Sequence, residues 1–171
     1  MKKIFLSTAM GLVLSACSSP QGSNQPLEIW SNFEQSTVNS QKLGENQSLA
    51  VFYRQNNIQG PAVNVYVNGE YQVSLLPNAY SSVAVCSTKN LFASSFSSTK
   101  DFGNSTPGVS YTMPVNSVTY FKVIQDAKDK VKLVHVDNAV AEQEVAQLPR
   151  ENQTLSRVNV RDCNNAVYSK K

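Results

Sequence analysis

Histidine and tryptophan occur once each in 171 residues, cysteine three times, and charged residues make up only 16%. Each scarcity excludes something. With His135 the sole imidazole, a Ser-His-Asp triad or a histidine-built zinc site is hard to assemble. His135 sits in a predicted strand between Val134 and Val136 and shares a face with Leu133 on a period of two, which points to a structural position. There is no glycine-rich phosphate loop. The apolar run Ile4 to Leu14 is too short to span a membrane as a helix. The carboxylate pairs Asp126/Asp129 and Glu142/Glu144 fall in a predicted turn and on a predicted helix face, where solvated surface is the ordinary role. The formal net charge is +3, and two of those charges, Lys2 and Lys3, stand in a segment expected to be removed. The remainder is close to neutral and calls for no nucleic acid. No catalytic residue, metal ligand or cofactor is assigned, and the expectation is a non-enzymatic protein.

What is present begins at the N-terminus. Lys2 and Lys3 precede the apolar run, which leads into Leu14-Ser15-Ala16-Cys17. A cationic start, a short apolar stretch and small residues before a cleavage point make a secretory signal, here residues 1–16. Leu14 to Cys17 resembles the bacterial lipobox. That resemblance implies that Cys17 becomes the mature N-terminus, with a thioether-linked diacylglycerol and an amide-linked acyl chain. Several acyl chains on one residue anchor stably where one would be marginal. The alternative is an ordinary secretory signal in which Cys17 is incidental. Residues 17–26 are polar, uncharged and rich in Ser, Gly and Pro, and read as a flexible tether. By resemblance to the usual sorting rule, Ser18, not being Asp, points to the outer membrane, with the protein facing the periplasm.

Residues 27–163 read as a mainly β domain, and 164–171 as a polar tail. Ile29, Trp30 and Phe33 suit one face of a weak helix running to Val38. Trp30 is expected to plug one end of the core, a partner-facing anchor being the other reading. Leu49 to Arg54 is apolar on both faces, as a central strand requires. Val63 to Val67 and Glu70 to Leu75 flank Asn68-Gly69, the strongest short-range hairpin signal. Alternation puts Val63, Val65 and Val67 with Tyr71, Val73 and Leu75 on an apolar face, and Asn64 and Tyr66 on a wet one. Tyr80 to Cys86 and Leu91 to Phe96 follow as strands, then Val109 to Tyr111, Ser117 to Ile124 and Val131 to Val136. Ala139 to Leu148 reads as an amphipathic helix capped from Asp137-Asn138 and stopped by Pro149. Thr154 to Arg161 is expected to be a last strand. The fold expected is a small antiparallel β-sandwich of about seven strands with one short C-terminal helix.

The order Phe52-Tyr53-Arg54, a loop, Val65-Tyr66-Val67-Asn68-Gly69-Glu70, then Leu76-Pro77-Asn78-Ala79-Tyr80 is similar to PEGA-like domains of bacterial outer-membrane lipoproteins. It also resembles the N-terminal part of some OmpA-family envelope proteins. Asn78 stands where that pattern has Gly, and Asn tolerates positive φ. The resemblance implies a binding or assembly module, such as an accessory of an export or adhesin system. Another envelope protein is the partner expected, beside the membrane lipid engaged through acylated Cys17. The alternative is a glycan- or peptidoglycan-binding module. Contact is expected at the Gln55–Pro61 loop and the hairpin, through Tyr53, Tyr66, Asn68, Gly69 and Tyr80. Asn152 to Arg157 resembles a fragment of the OmpA-like peptidoglycan-binding helix, but the rest of that motif is missing, and chance accounts for it.

Once Cys17 is acylated, Cys86 and Cys163 remain, and in an oxidising compartment such a pair reads as a disulfide. It would stabilise by roughly 4 kcal/mol on the chain-entropy model. Two free buried thiols or a metal pair are the alternatives.

Overall fold

The computed structural model describes residues 33–40, 42–99, 106–152, 155–160 and 163–164, all inside the compact unit Ser31–Lys171. The signal segment, Cys17 with its tether, Trp30 and the tail beyond Asn164 lie outside the described residues. Strands β1 (Phe33–Glu34), β2 (Gln47–Arg54), β3 (Val63–Val67), β4 (Glu70–Leu75), β5 (Ala79–Cys86), β6 (Lys89–Phe96), β7 (Gly108–Thr112), β8 (Val118–Gln125) and β9 (Val131–Val136) come first. Helix α1 (Asn138–Val145) and β10 (Arg150–Glu151) follow. The fold is the expected mainly β sandwich with one short helix near the C-terminus. One sheet has the order β1-β10-β5-β2-β8-β9 and the other β4-β3-β6-β7.

Local chemistry explains the elements. Asn68 and Gly69 have φ of 52° and 86°, the two positive values that the tight β3–β4 turn requires. Asn78 adopts φ 61° at the turn into β5. Between β8 and β9, Asp126 accepts from the backbone N–H groups of Lys128 and Lys130, at 2.8 and 3.0 Å. The Asp137 side chain caps α1 by accepting from Ala139 N.

Strand β2 is central. It pairs antiparallel with β5 and parallel with β8. Parallel neighbours need a long crossover, and β3 to β7 supply it. Alternate β2 residues face opposite ways. Ala50 and Phe52 enter the core between the sheets with Val65, Leu75, Phe92 and Phe121. Leu49, Val51 and Tyr53 enter a second cluster on the outer face, covered by Ala141, Val145 and Leu148. The two apolar faces of this strand thus have two different covers.

Four expectations are corrected. Residues 35–40 form no helix, and Phe33 instead pairs with Glu151. That stretch is rich in Ser, Thr, Asn and Gln, whose side chains compete for backbone hydrogen bonds. Tyr71 joins Tyr66 on the outer side of the hairpin, because the register shifts between Val65 and Tyr66 and Gln72 becomes an extra residue. Val140 is 51% exposed, so it does not belong to the buried face of α1. Residues 155–160 form no strand. They pass along β4, where Arg157 N–H donates to the Tyr71 carbonyl at 2.8 Å, but the bulge at Gln72 breaks the regular ladder.

Candidate functional site

The expected contact tyrosines are not on the surface. Tyr53 is 0% exposed, Tyr80 1% and Tyr66 6%. Tyr53 and Tyr80 lie under α1 and beneath residues 36–40, where the ring is buried and the hydroxyl reaches the rim. Tyr80 donates to the Ser36 carbonyl at 2.8 Å. Asn68 is exposed and Gly69 half-buried at the hairpin tip. Asn68 is spent on its neighbour β6: its side chain donates to Asn90 Oδ1 and accepts from Leu91 N, both at 2.9 Å.

The Gln55–Pro61 loop is fastened from within. Arg54, fully buried, donates from Nη1 to the Pro61 and Leu75 carbonyls and from Nη2 to those of Ile58 and Gly60, at 2.8 to 3.3 Å. Burial pulls the guanidinium's pKa down. Carbonyls converge on both terminal nitrogens and make this loop a shoulder, while the buried Nε has no hydrogen-bond partner among the described residues.

Tyr53, Lys122 and Glu144 form a polar cluster between β2, β8 and α1. Tyr53 Oη donates to Glu144 Oε2 at 2.6 Å, and Lys122 Nζ donates to both carboxylate oxygens at 2.8 and 3.0 Å. Burial alone would raise the Glu144 pKa. The hydrogen bonds from Lys122 and Tyr53, with the lysine charge, outweigh that and hold it below its ordinary value. Burial pushes the Tyr53 hydroxyl up, and Glu144 adds to this. Both carboxylate oxygens already accept from donors of this chain. The cluster therefore clamps the helix to the sheet and does not present a base to a substrate.

A groove of about 740 Å³ runs beside residues 34–42 on the outer face of the larger sheet. Glu34, Thr37, Asn39, Lys42, Ser82 and Arg150 line it. A second hollow of about 390 Å³ lies on the α1 side of the same segment, where Val38, Tyr120 and Val145 make it more apolar. Hydroxyl, amide and charged groups in a trough offer several donors and acceptors to a polar ligand.

Cys86 and Cys163 stand at disulfide distance, with Cα atoms 5.2 Å apart. His135 is exposed on β9, an edge strand, and Tyr111 stacks on it with ring centroids 4.7 Å apart. Among the described residues no three His, Cys, Asp or Glu side chains are grouped to hold a metal ion. The Asp126 carboxyl is occupied by its own turn, whose N–H groups lower its pKa. Three features escaped the sequence reading: the buried Arg54, the Glu144 cluster and the groove. Arg54 ending an otherwise apolar strand was the one local signal among them.

No family model, curated protein or solved structure matches the chain.

Proposed function

We propose that this chain is a non-enzymatic outer-membrane lipoprotein, anchored through acyl chains on Cys17 and facing the periplasm. Its sandwich serves as an accessory or assembly module of an envelope complex, such as an export or adhesin system. The observation that carries this reading is Leu14-Ser15-Ala16-Cys17 closing an apolar leader and opening a polar tether. The Cys86–Cys163 pair supports it, since disulfides persist in oxidising compartments. So does the inward commitment of the Arg54 and Glu144 chemistry, which leaves shape and surface as the means of action. With Tyr53, Tyr66 and Tyr80 internal, the groove beside residues 34–42 replaces them as the contact surface. It adjoins the start of the sandwich, nearest in sequence to the tether.

A photo-crosslinker at the exposed Thr37 is expected to trap one envelope protein in cells, whereas one at Lys132 on β9 traps none. Equal, unspecific labelling from both positions would sink the assignment of the groove. For the anchor, Cys17→Ala is expected to leave the protein unprocessed or soluble, and unaltered membrane fractionation would oppose it. A second reading, a glycan- or peptidoglycan-binding module, is favoured by the polar lining of the groove. Sedimentation with purified cell-wall sacculi separates the two, because only the glycan binder pellets.

A further inference from the structure

Strand β4 is an outermost strand of the smaller sheet. Residues 155–160 cross its open flank without joining it. Arg157 N–H reaches the Tyr71 carbonyl, and Ser156 Oγ donates to Gln72 Oε1 at 2.6 Å. Val158, half-buried, packs against the core between the sheets. Leu155 is 89% exposed, and Ser156, Arg157 and Asn159 are exposed as well. Between this segment and β5 lies a cleft of about 220 Å³, lined by Val67, Val85, Cys86, Asn90, Val158 and Val160. Cys163, three residues beyond Val160 in sequence, meets Cys86, the last residue of β5.

The holding forces are unequal. The sheets are locked by strands whose core side chains, such as Phe52, Phe92 and Phe121, are fully buried. Among the described residues, the crossing segment has two such hydrogen bonds and two half-buried valines, Val158 and Val160, to offset the entropy of ordering its backbone, and past it Asn164 accepts from Asn46 Nδ2 at 2.6 Å, which is a modest balance. A covalent link at its far end changes that, because it keeps the segment at high effective concentration over β4.

We propose that residues 155–160 are a strap latched by redox through Cys163, which a dithiol reductant releases from β4 while both sheets stay folded. A thiolate of the reductant attacks Cys86 Sγ, which borders the cleft. The Cys86–Cys163 bond breaks, and its electron pair leaves on Cys163 Sγ, which takes a proton from water. The second thiol of the reductant, as a thiolate, then attacks the reductant's own sulfur in the mixed disulfide. Cys86 leaves as a thiolate and is protonated, and the reductant ends as a disulfide. Release uncovers the outer edge of β4 and the apolar side chains of Val67 and Val85.

Amide exchange followed by NMR on the signal-free chain, with and without dithiothreitol, tests this. The Arg157 amide is expected to exchange roughly tenfold faster or more after reduction, while the amides of β2 and β8 keep their protection, as local opening requires. Trypsin cleavage after Arg157 should accelerate in parallel. The double variant Cys86→Ser/Cys163→Ser should behave like the reduced chain without reductant. Unchanged protection at Arg157 would overturn the proposal, since the strap would then dock without its latch. Loss of protection in β2 and β8 together with Arg157 would overturn it equally, since the link would then hold the whole fold.

Discussion

The two apolar clusters on either side of the larger sheet are built from adjacent residues, yet they use different chemistry. Between the sheets, Phe52, Phe92 and Phe121 meet ring against ring, with centroids 4.4 to 5.7 Å apart. On the outer face the next residues along the same strands are Tyr53 and Tyr120, joined by Tyr80. The inner space is closed on both sides by strands, and Tyr111, packed at its margin, turns its hydroxyl to His135. The outer cluster is covered by one short helix and by residues 36–40, so its rim stays within reach of polar groups. Tyr53 finds Glu144 there and Tyr80 finds Ser36. The comparison teaches that phenylalanine or tyrosine at successive positions records what covers each face of the sheet, not what binds to it.

The sharpest way to break that distinction is to empty the inner cluster. Phe121→Ala should cost about 3–5 kcal/mol, because it removes a fully buried ring and leaves a cavity that strands on both sides cannot close. Urea unfolding measures it, and a loss below that of an outer-face substitution would reverse the ranking of the two clusters. On the outer side, Tyr53→Phe keeps the ring and removes the hydroxyl that donates to Glu144, which should cost about 1–2 kcal/mol. The helix should loosen first, seen as faster amide exchange in α1 than in β2.

The same contact sets a pH dependence. Glu144 has a folded pKa below its ordinary value of 4.5. Its contribution is therefore present in full above about pH 4.5 and is lost as pH falls through the lower folded pKa. The difference in stability between wild type and Glu144→Gln should be widest at neutral pH and shrink as the solution is acidified below 4.5. A gap independent of pH would remove Glu144 from the clamp. The smallest effect belongs to Val140→Ser on the open side of α1, which should alter stability by no more than about 0.5 kcal/mol.

Features that depend on neighbours in sequence were legible. Asn68-Gly69 announced its turn because few residues accept two positive φ values, and Asp137 announced its cap. Ser117 to Ile124 was plain from its β-branched and aromatic content, and the two apolar faces of Leu49–Arg54 correctly marked a central strand. Features that depend on register or distant contact were not. Alternation counts residues, so it could not reveal that Gln72 is an extra one and that Tyr71 therefore changes sides. A tyrosine with its ring buried and its hydroxyl at a rim has the same letter as one that faces a partner, and this misplaced Tyr53 and Tyr80, whereas Tyr66 keeps its expected side of the hairpin but is buried there. Glu144 read as solvated because its partners Tyr53 and Lys122 lie 91 and 22 residues away. The groove is made by residues 34–40 and Lys42 lying beside β5, a placement that no periodicity encodes.

The reading of this chain as a lipid-anchored envelope module rests most heavily on Cys17. The most direct measurement is the intact mass of the protein extracted from envelopes, with fragmentation of its N-terminal peptide. A chain beginning at Cys17 and carrying a diacylglyceryl thioether and an amide-linked acyl group is expected. A mature chain that begins elsewhere, or whose Cys17 carries no lipid, would contradict it.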